Sequence, residues 1–161
     1  MKRVLVIGGT TFDLNIYLNE FSNNKSQTIM TSSPLHETVG SPGIIKASNL
    51  VKLGVETKLH SVIGADEFGD KIINQLQKEN VPFVYDLDPL GTKRYLHLIN
   101  VSGEKISIFA SCGSEQPVLD LVRLEQLIIE SDLIVLNWNY LWMNWVKNKN
   151  SIKCKNNVDF I

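Results

Sequence analysis

Two stretches of this 161-residue sequence bring together residue types that could do chemistry. The first is Asp13, which follows the apolar run Val4–Ile7 and the doublet Gly8-Gly9 at the carboxyl end of a buried first strand. A carboxylate in that place can accept hydrogen bonds from the hydroxyls of a substrate, although an aspartate there also suits a turn or a helix cap. The second is Gly40-Ser41-Pro42-Gly43, a tight loop opening a helix. Its glycines permit close backbone approach to a ligand, and the first N–H groups of a helix are free to meet one; a plain strand–helix turn would look the same.

Other reactive side chains give weaker signals. Gly8-Gly9-Thr10-Thr11 lacks the third glycine of a dinucleotide fingerprint, and neither a GxxxxGK[ST] loop nor a GxSxG elbow occurs. His36, His60 and His97 are scattered without ligand spacing, so none reads as a metal ligand or catalytic base, and His60 reads as a strand residue. The two cysteines, Cys112 and Cys154, fit a reducing compartment and no metal knuckle, and Cys112 reads as a small buried residue.

The elements that must hold these residues follow from periodicity. Residues 3–8 form a β-branched run ending in glycine, the pattern of a buried parallel strand. Residues 28–31 suggest a short strand. A helix over 44–53 places Ile44, Ala47 and Val51 on one face and stops at Gly54. A strand over 55–63 leads to the turn Gly64-Ala65-Asp66, with Asp66 as N-cap of a second amphipathic helix that carries Phe68, Ile72, Ile73 and Leu76. A strand over 81–85 follows. Residues 92–100 and 104–110 flank Val101-Ser102-Gly103 as a hairpin. A third helix over 119–129 and a buried strand over 133–136 complete an α/β sheet with an antiparallel attachment.

Composition narrows the classes. Hydrophobic residues at 43% and charged residues at 20% exclude a disordered or disulfide-scaffold protein. A net charge of −1 gives no field to recruit nucleic acid or anionic lipid, and no membrane span is present, so the reading is a cytoplasmic protein. That average hides a break. Residues 137–161 hold all three tryptophans, seven of fifteen asparagines, four lysines and one acid, a charge of +3 against −4 for residues 1–136. No glycine follows Gly113 and no proline follows Pro117, so this tail lacks turn residues. It reads either as a surface helix or frayed end, with Trp138, Trp142 and Trp145 at helical spacing, or as a chain without its proper continuation.

In order, Val39-Gly40-Ser41-Pro42-Gly43, Ala47, Lys52-Leu53-Gly54 and Ser61-Val62-Ile63-Gly64-Ala65-Asp66-Glu67-Phe68-Gly69 resemble the ribokinase-like (PfkB) carbohydrate kinases, over about residues 3–139. Asp13 after the first strand and the hairpin ending Ser102-Gly103-Glu104-Lys105 fit as well. The resemblance implies a ribokinase-like three-layer sheet with a small β-lid, incomplete because the C-terminal half is absent. The family reaction is transfer of the γ-phosphoryl of ATP, with Mg2+, to a hydroxymethyl group of a sugar or nucleoside. By position, Asp13 would hold substrate hydroxyls, and Gly40 and Gly43 would form the substrate loop. Residues 28–38 and 92–110 would build the lid, Thr92 and Lys93 would lie near the ligand, and Asn139 would face it. Lid strands pair between subunits in the family, which implies a homodimer for this chain.

The sequence also departs from the family pattern. Ser41 stands at a family glycine, Ile45 at an asparagine that contacts substrate, and Thr11 at an asparagine two residues before the aspartate. An isoleucine cannot make that hydrogen bond. The family motif Asp-Thr-x-Gly-Ala-Gly-Asp, which supplies the anion hole and the general base, has no counterpart here. The expectation is therefore no catalytic residue, no metal site and no tightly bound ATP or Mg2+ in this chain. Residues 1–136 would be the substrate-binding and lid part of such a kinase, truncated and inactive alone. The competing readings are a non-catalytic binding or dimerisation module and a barely folded decayed product.

Overall fold

The computed structural model describes residues 2–21, 28–115 and 117–137, together with a short backbone strand at 159–160. Two sheets organise them. The first is wholly parallel and runs β5-β4-β1-β8-β9, with β1 at Val4–Ile7, β4 at Thr57–Gly64, β5 at Phe83–Asp88, β8 at Leu133–Leu136 and β9 at Asp159–Phe160. The second is mixed and runs β3-β2-β6-β7, with β2 at Thr11–Leu18, β3 at His36–Gly40, β6 at Arg94–Asn100 and β7 at Lys105–Ser111. Helices α1 (Pro42–Lys52), α2 (Glu67–Lys78) and α3 (Leu121–Ile129) follow β3, β4 and β7.

The parallel sheet is buried on both faces, which is why its strands read as unbroken apolar runs. Val4, Val6, Leu59 and Ile63 pack with Ile44 and Ala47 of α1 and Ile72 and Leu76 of α2. Leu5, Ile7 and Ile134 point the other way, against Leu124, Leu127 and Ile128 of α3. The result is an α/β/α sandwich with the mixed sheet attached at one end as a lid.

Local signals terminate the elements as the sequence suggests. Pro42 occupies the first turn of α1, and Gly54 follows its end at φ 76. Asp66 caps α2 by accepting from the Gly69 amide at 2.8 Å, and Asp120 caps α3 by accepting from the Arg123 amide at 3.0 Å. Gly103 closes the β6–β7 hairpin at φ 80.

Three expectations are corrected. Asp13 is not in a turn after β1; it lies inside β2, an eight-residue strand that emerges directly from the Gly8–Thr10 link and forms the middle of the lid. Residues 28–31 form no strand and contribute only an isolated bridge between Thr31 and Leu18. The lid therefore consists of the β6–β7 hairpin within the expected 92–110 stretch, β3, which takes only the end of the expected 28–38 stretch, and β2, which was not expected there. Cys112 is exposed, because it sits just past the open edge strand β7. The tryptophans of the tail and Asn139 lie outside the described residues.

Candidate functional site

Strand alternation gives the lid two unlike faces. Register places Thr38, Asp13, Tyr95 and Phe109 in one row across β3, β2, β6 and β7. His36, Asn15, His97 and Ser107 form the next row on the same face. The opposite face carries Leu14, Leu96 and Ile108, then Ile16, Leu98 and Ile106. One face is thus polar and aromatic, and the other aliphatic.

Around Asp13 the backbone comes very close. A Cβ on Gly40 would lie 2.1 Å from Asp13 Oδ2 and 3.1 Å from Thr11 Oγ1, so only glycine leaves the carboxylate its place. A Cβ on Gly43 would lie 2.6 Å from the Gly9 carbonyl oxygen and 2.9 Å from the Gly8 carbonyl carbon, so this glycine seats the start of α1 on the loop after β1. Asp13, Gly40 and Gly43 are therefore brought together at the carboxyl ends of the parallel strands, where open α/β sheets bind ligands. Among the described residues, two buried atoms at this spot, Thr11 Oγ1 and Asp13 Oδ1, have no hydrogen-bond partner, a state uncommon for buried polar atoms.

Ser41 holds an unusual backbone, φ 87 and ψ 143. Its Cβ is strained there, at a cost of about 1–3 kcal/mol. The loop has kept a glycine's conformation with a serine in it. Ile45, one turn on, is 54% exposed, so an apolar side chain rather than an amide fronts solvent from the first turn of α1.

Thr92 and Lys93 sit at the root of β6. Thr92 is buried; its hydroxyl donates to Asp66 Oδ1 at 2.6 Å and accepts from the Gly64 amide at 2.9 Å, while its own amide donates to Asp66 Oδ2 at 2.7 Å. A Cβ on Gly64 would stand 2.3 Å from the Thr92 nitrogen, and one on Gly69 would stand 2.2 Å from the Gly64 carbonyl oxygen. The Gly64-Ala65-Asp66-Glu67-Phe68-Gly69 stretch is thus a joint between β4, α2 and the lid. Burial alone would raise the Asp66 carboxyl, but hydrogen bonds from Thr92 and from the Gly69 and Phe68 amides outweigh it and hold it below its ordinary range. The Lys93 stem runs beside Gly113, and its carbonyl accepts from the Phe12 amide at 3.0 Å.

Sequence reasoning passed over His97. Its Nε2 lies 3.5 Å from Asp13 Oδ2, and its Nδ1 lies 2.9 Å from Ser107 Oγ. Only the pairing of β2 with β6, about eighty positions apart, could have revealed it.

Among the described residues no three metal-ligating side chains cluster. Of the buried or half-buried carboxylates among the described residues, Asp66 is engaged by Thr92, Asp88 by Ser114 and Asp86 by Arg123, while Asp13 Oδ1 has no partner among them. No helix among them is long and apolar enough to cross a membrane.

Solved structures with the same architecture define the class. A ribokinase from Giardia lamblia superposes with a TM-score of 0.80 at 20% identity, covering 99% of this chain and 54% of that one. A microbiome-derived acarbose kinase gives 0.75 at 22% identity, with 84% and 45% covered. A ribokinase from Thermotoga maritima gives 0.69 at 18% identity, with 84% and 44% covered. At such identities the likeness establishes a ribokinase-like fold, and the chain spans about half the length of these proteins. No curated protein sequence matches it. The sequence profile of the pfkB family carbohydrate kinases matches residues 1–137, and the chain belongs to that family.

Proposed function

We propose that residues 1–136 form the substrate-binding and lid half of a PfkB-type kinase whose family reaction phosphorylates a hydroxymethyl group of a sugar or nucleoside, acting in the cytoplasm. The observation that supports this reading is Asp13: a buried carboxylate oxygen without a donor among the described residues, beside a glycine whose Cβ would displace it, on the polar face of the lid. Gly40 and Gly43 then shape the substrate loop, Thr92 and Lys93 lie at the lid root near the ligand, and Asn139 is assigned to the site by its place in the family pattern alone.

Phosphoryl transfer rests on positioning and electrostatics. With no glycine after Gly113, the sequence has no loop to build an anion hole and no base in a glycine setting. The chain is therefore read as binding an acceptor without phosphorylating it alone. Titration with D-ribose, D-fructose and uridine, alongside a coupled ADP assay, tests this. Binding of at least one that is lost in Asp13→Asn, without ADP production, is the expected result. ADP production refutes the inactive half, and binding of none refutes the substrate role.

A second reading, a dimerisation module, has its own support in the aliphatic lid face, where Ile106 and Ile108 are 46% and 45% exposed. Sedimentation showing only monomer at high concentration would remove it.

A further inference from the structure

The two carboxylate oxygens of Asp13 have unlike settings. Oδ2 is boxed between the bare Cα of Gly40 and the ring of His97, 3.5 Å from Nε2, whereas Oδ1 is buried and has no partner among the described residues. His97 is buried and fixed from several sides. Its Nδ1 meets Ser107 Oγ at 2.9 Å, and its ring stacks on Tyr95 with centroids 5.3 Å apart and planes 15° apart. Tyr95 packs in turn on Phe109 at 4.0 Å. The backbone of His97 lies between Asn15 on β2 and Ser107 on β7.

We propose that His97 is a positioning residue for Asp13: Ser107 orients the imidazole, Nε2 flanks Oδ2 at 3.5 Å, and Oδ1 is left without a partner among the described residues, so that a ligand hydroxyl reaching it would meet an unused acceptor. The proposal rests on the substrate role given to Asp13 above. Tautomer chemistry supports it. A proton on Nε2 faces the carboxylate, and Nδ1 then accepts from the Ser107 hydroxyl, so both contacts are favourable. With the proton on Nδ1 alone, the Nε2 lone pair would face a carboxylate oxygen. Doubly protonated, the ring donates to both partners. In each favourable state one oxygen is held and its twin stays free, which fixes the direction in which a hydroxyl can be received.

The test compares His97→Ala, His97→Gln and Ser107→Ala in the full chain. Side-chain three-bond couplings report the Asp13 χ1 rotamer without any ligand, and D-ribose, D-fructose and uridine serve as binding probes. The wild type should show one Asp13 rotamer, His97→Ala an average over several, and His97→Gln, whose amide can donate, one rotamer again. Ser107→Ala, at an exposed position, should give partial averaging in a folded protein. Affinity for the probe that binds should fall about tenfold in His97→Ala and recover to within about threefold in His97→Gln, with equal melting temperatures for the two variants. A single unchanged Asp13 rotamer in His97→Ala overturns the proposal while leaving the substrate role of Asp13 intact. Unchanged binding in Asp13→Asn, or no binding by the wild type, overturns the substrate role, and the positioning proposal falls with it.

Discussion

The parallel sheet and the lid solve the same problem, covering a sheet, in opposite ways. Strands β1 and β4 bury both faces under helices, and Leu5, Val6, Leu59 and Ile134 are completely enclosed. The lid buries little. Every residue of β7 except Ser111 is exposed, and the aliphatic face is covered at its root, where Phe12 packs on Phe68 at 5.2 Å, and at Leu18, which is 4% exposed. Polar groups differ in the same way. In the core, His60 meets Asp86 at 3.2 Å, and Asp86 also meets Arg123, so the buried charges are matched. Among the described residues, Asp13 and Thr11 in the lid keep unmatched atoms, as does Ser48 on α1. Burial is concentrated in the parallel sheet, and exposure in the outer strand of the lid.

The largest effect that could break this contrast is a core truncation. Leu59→Ala should cost about 3–4 kcal/mol in urea unfolding, whereas Ile108→Ala in the lid should cost under about 1 kcal/mol. Equal losses would mean that the lid is as integral as the core. Next comes the joint between them. Asp66→Ala removes the cap of α2 and both Thr92 contacts, and should cost about 2 kcal/mol while raising amide exchange in β6 and β7 well before β1 and β4. Uniform exchange across both sheets would argue against a joint.

Acid should act on the core and its joint with the lid in two stages. Burial lowers the His60 imidazole despite Asp86, so His60 is neutral in the fold and binds a proton on unfolding. That contribution is complete above about pH 6.5 and is lost as pH falls below it. Asp66 and Asp88 are held below their ordinary range, with hydrogen bonds outweighing burial, and Asp132 is held at about 2 by hydrogen bonds from Arg3. Their contribution is complete above about pH 4 and lost below it. Melting temperature against pH should therefore fall in two stages, and His60→Gln should erase the upper one. The smallest effect is a gain: Ser41→Gly should stabilise by about 1 kcal/mol by relieving the strained backbone, read as a higher urea midpoint.

Much of the core was legible because its signals are local. The helices start at Pro42, Asp66 and Asp120 for reasons visible within four residues, and Leu133–Leu136 is the strand its composition suggests. The lid was not legible to the same degree. Residues 11–18 mix polar and apolar types because each side of β2 faces a different environment, and the strand's parallel partner lies at 94–100. That one pairing hid both the true place of Asp13 and its neighbour His97. Cys112 was misjudged because an edge strand gives no burial to the residue that follows it.

The row register of the lid has a kinematic consequence. Asp13, His97, Ser107, Tyr95 and Thr38 all ride on hydrogen-bonded neighbours of one sheet. Any rigid swing of that sheet changes their distance to α1 and to the Gly8–Gly9 loop but not to one another. The grip on a ligand hydroxyl would thus be assembled before the lid closes, and closure would set only how near that grip comes to the floor beneath it.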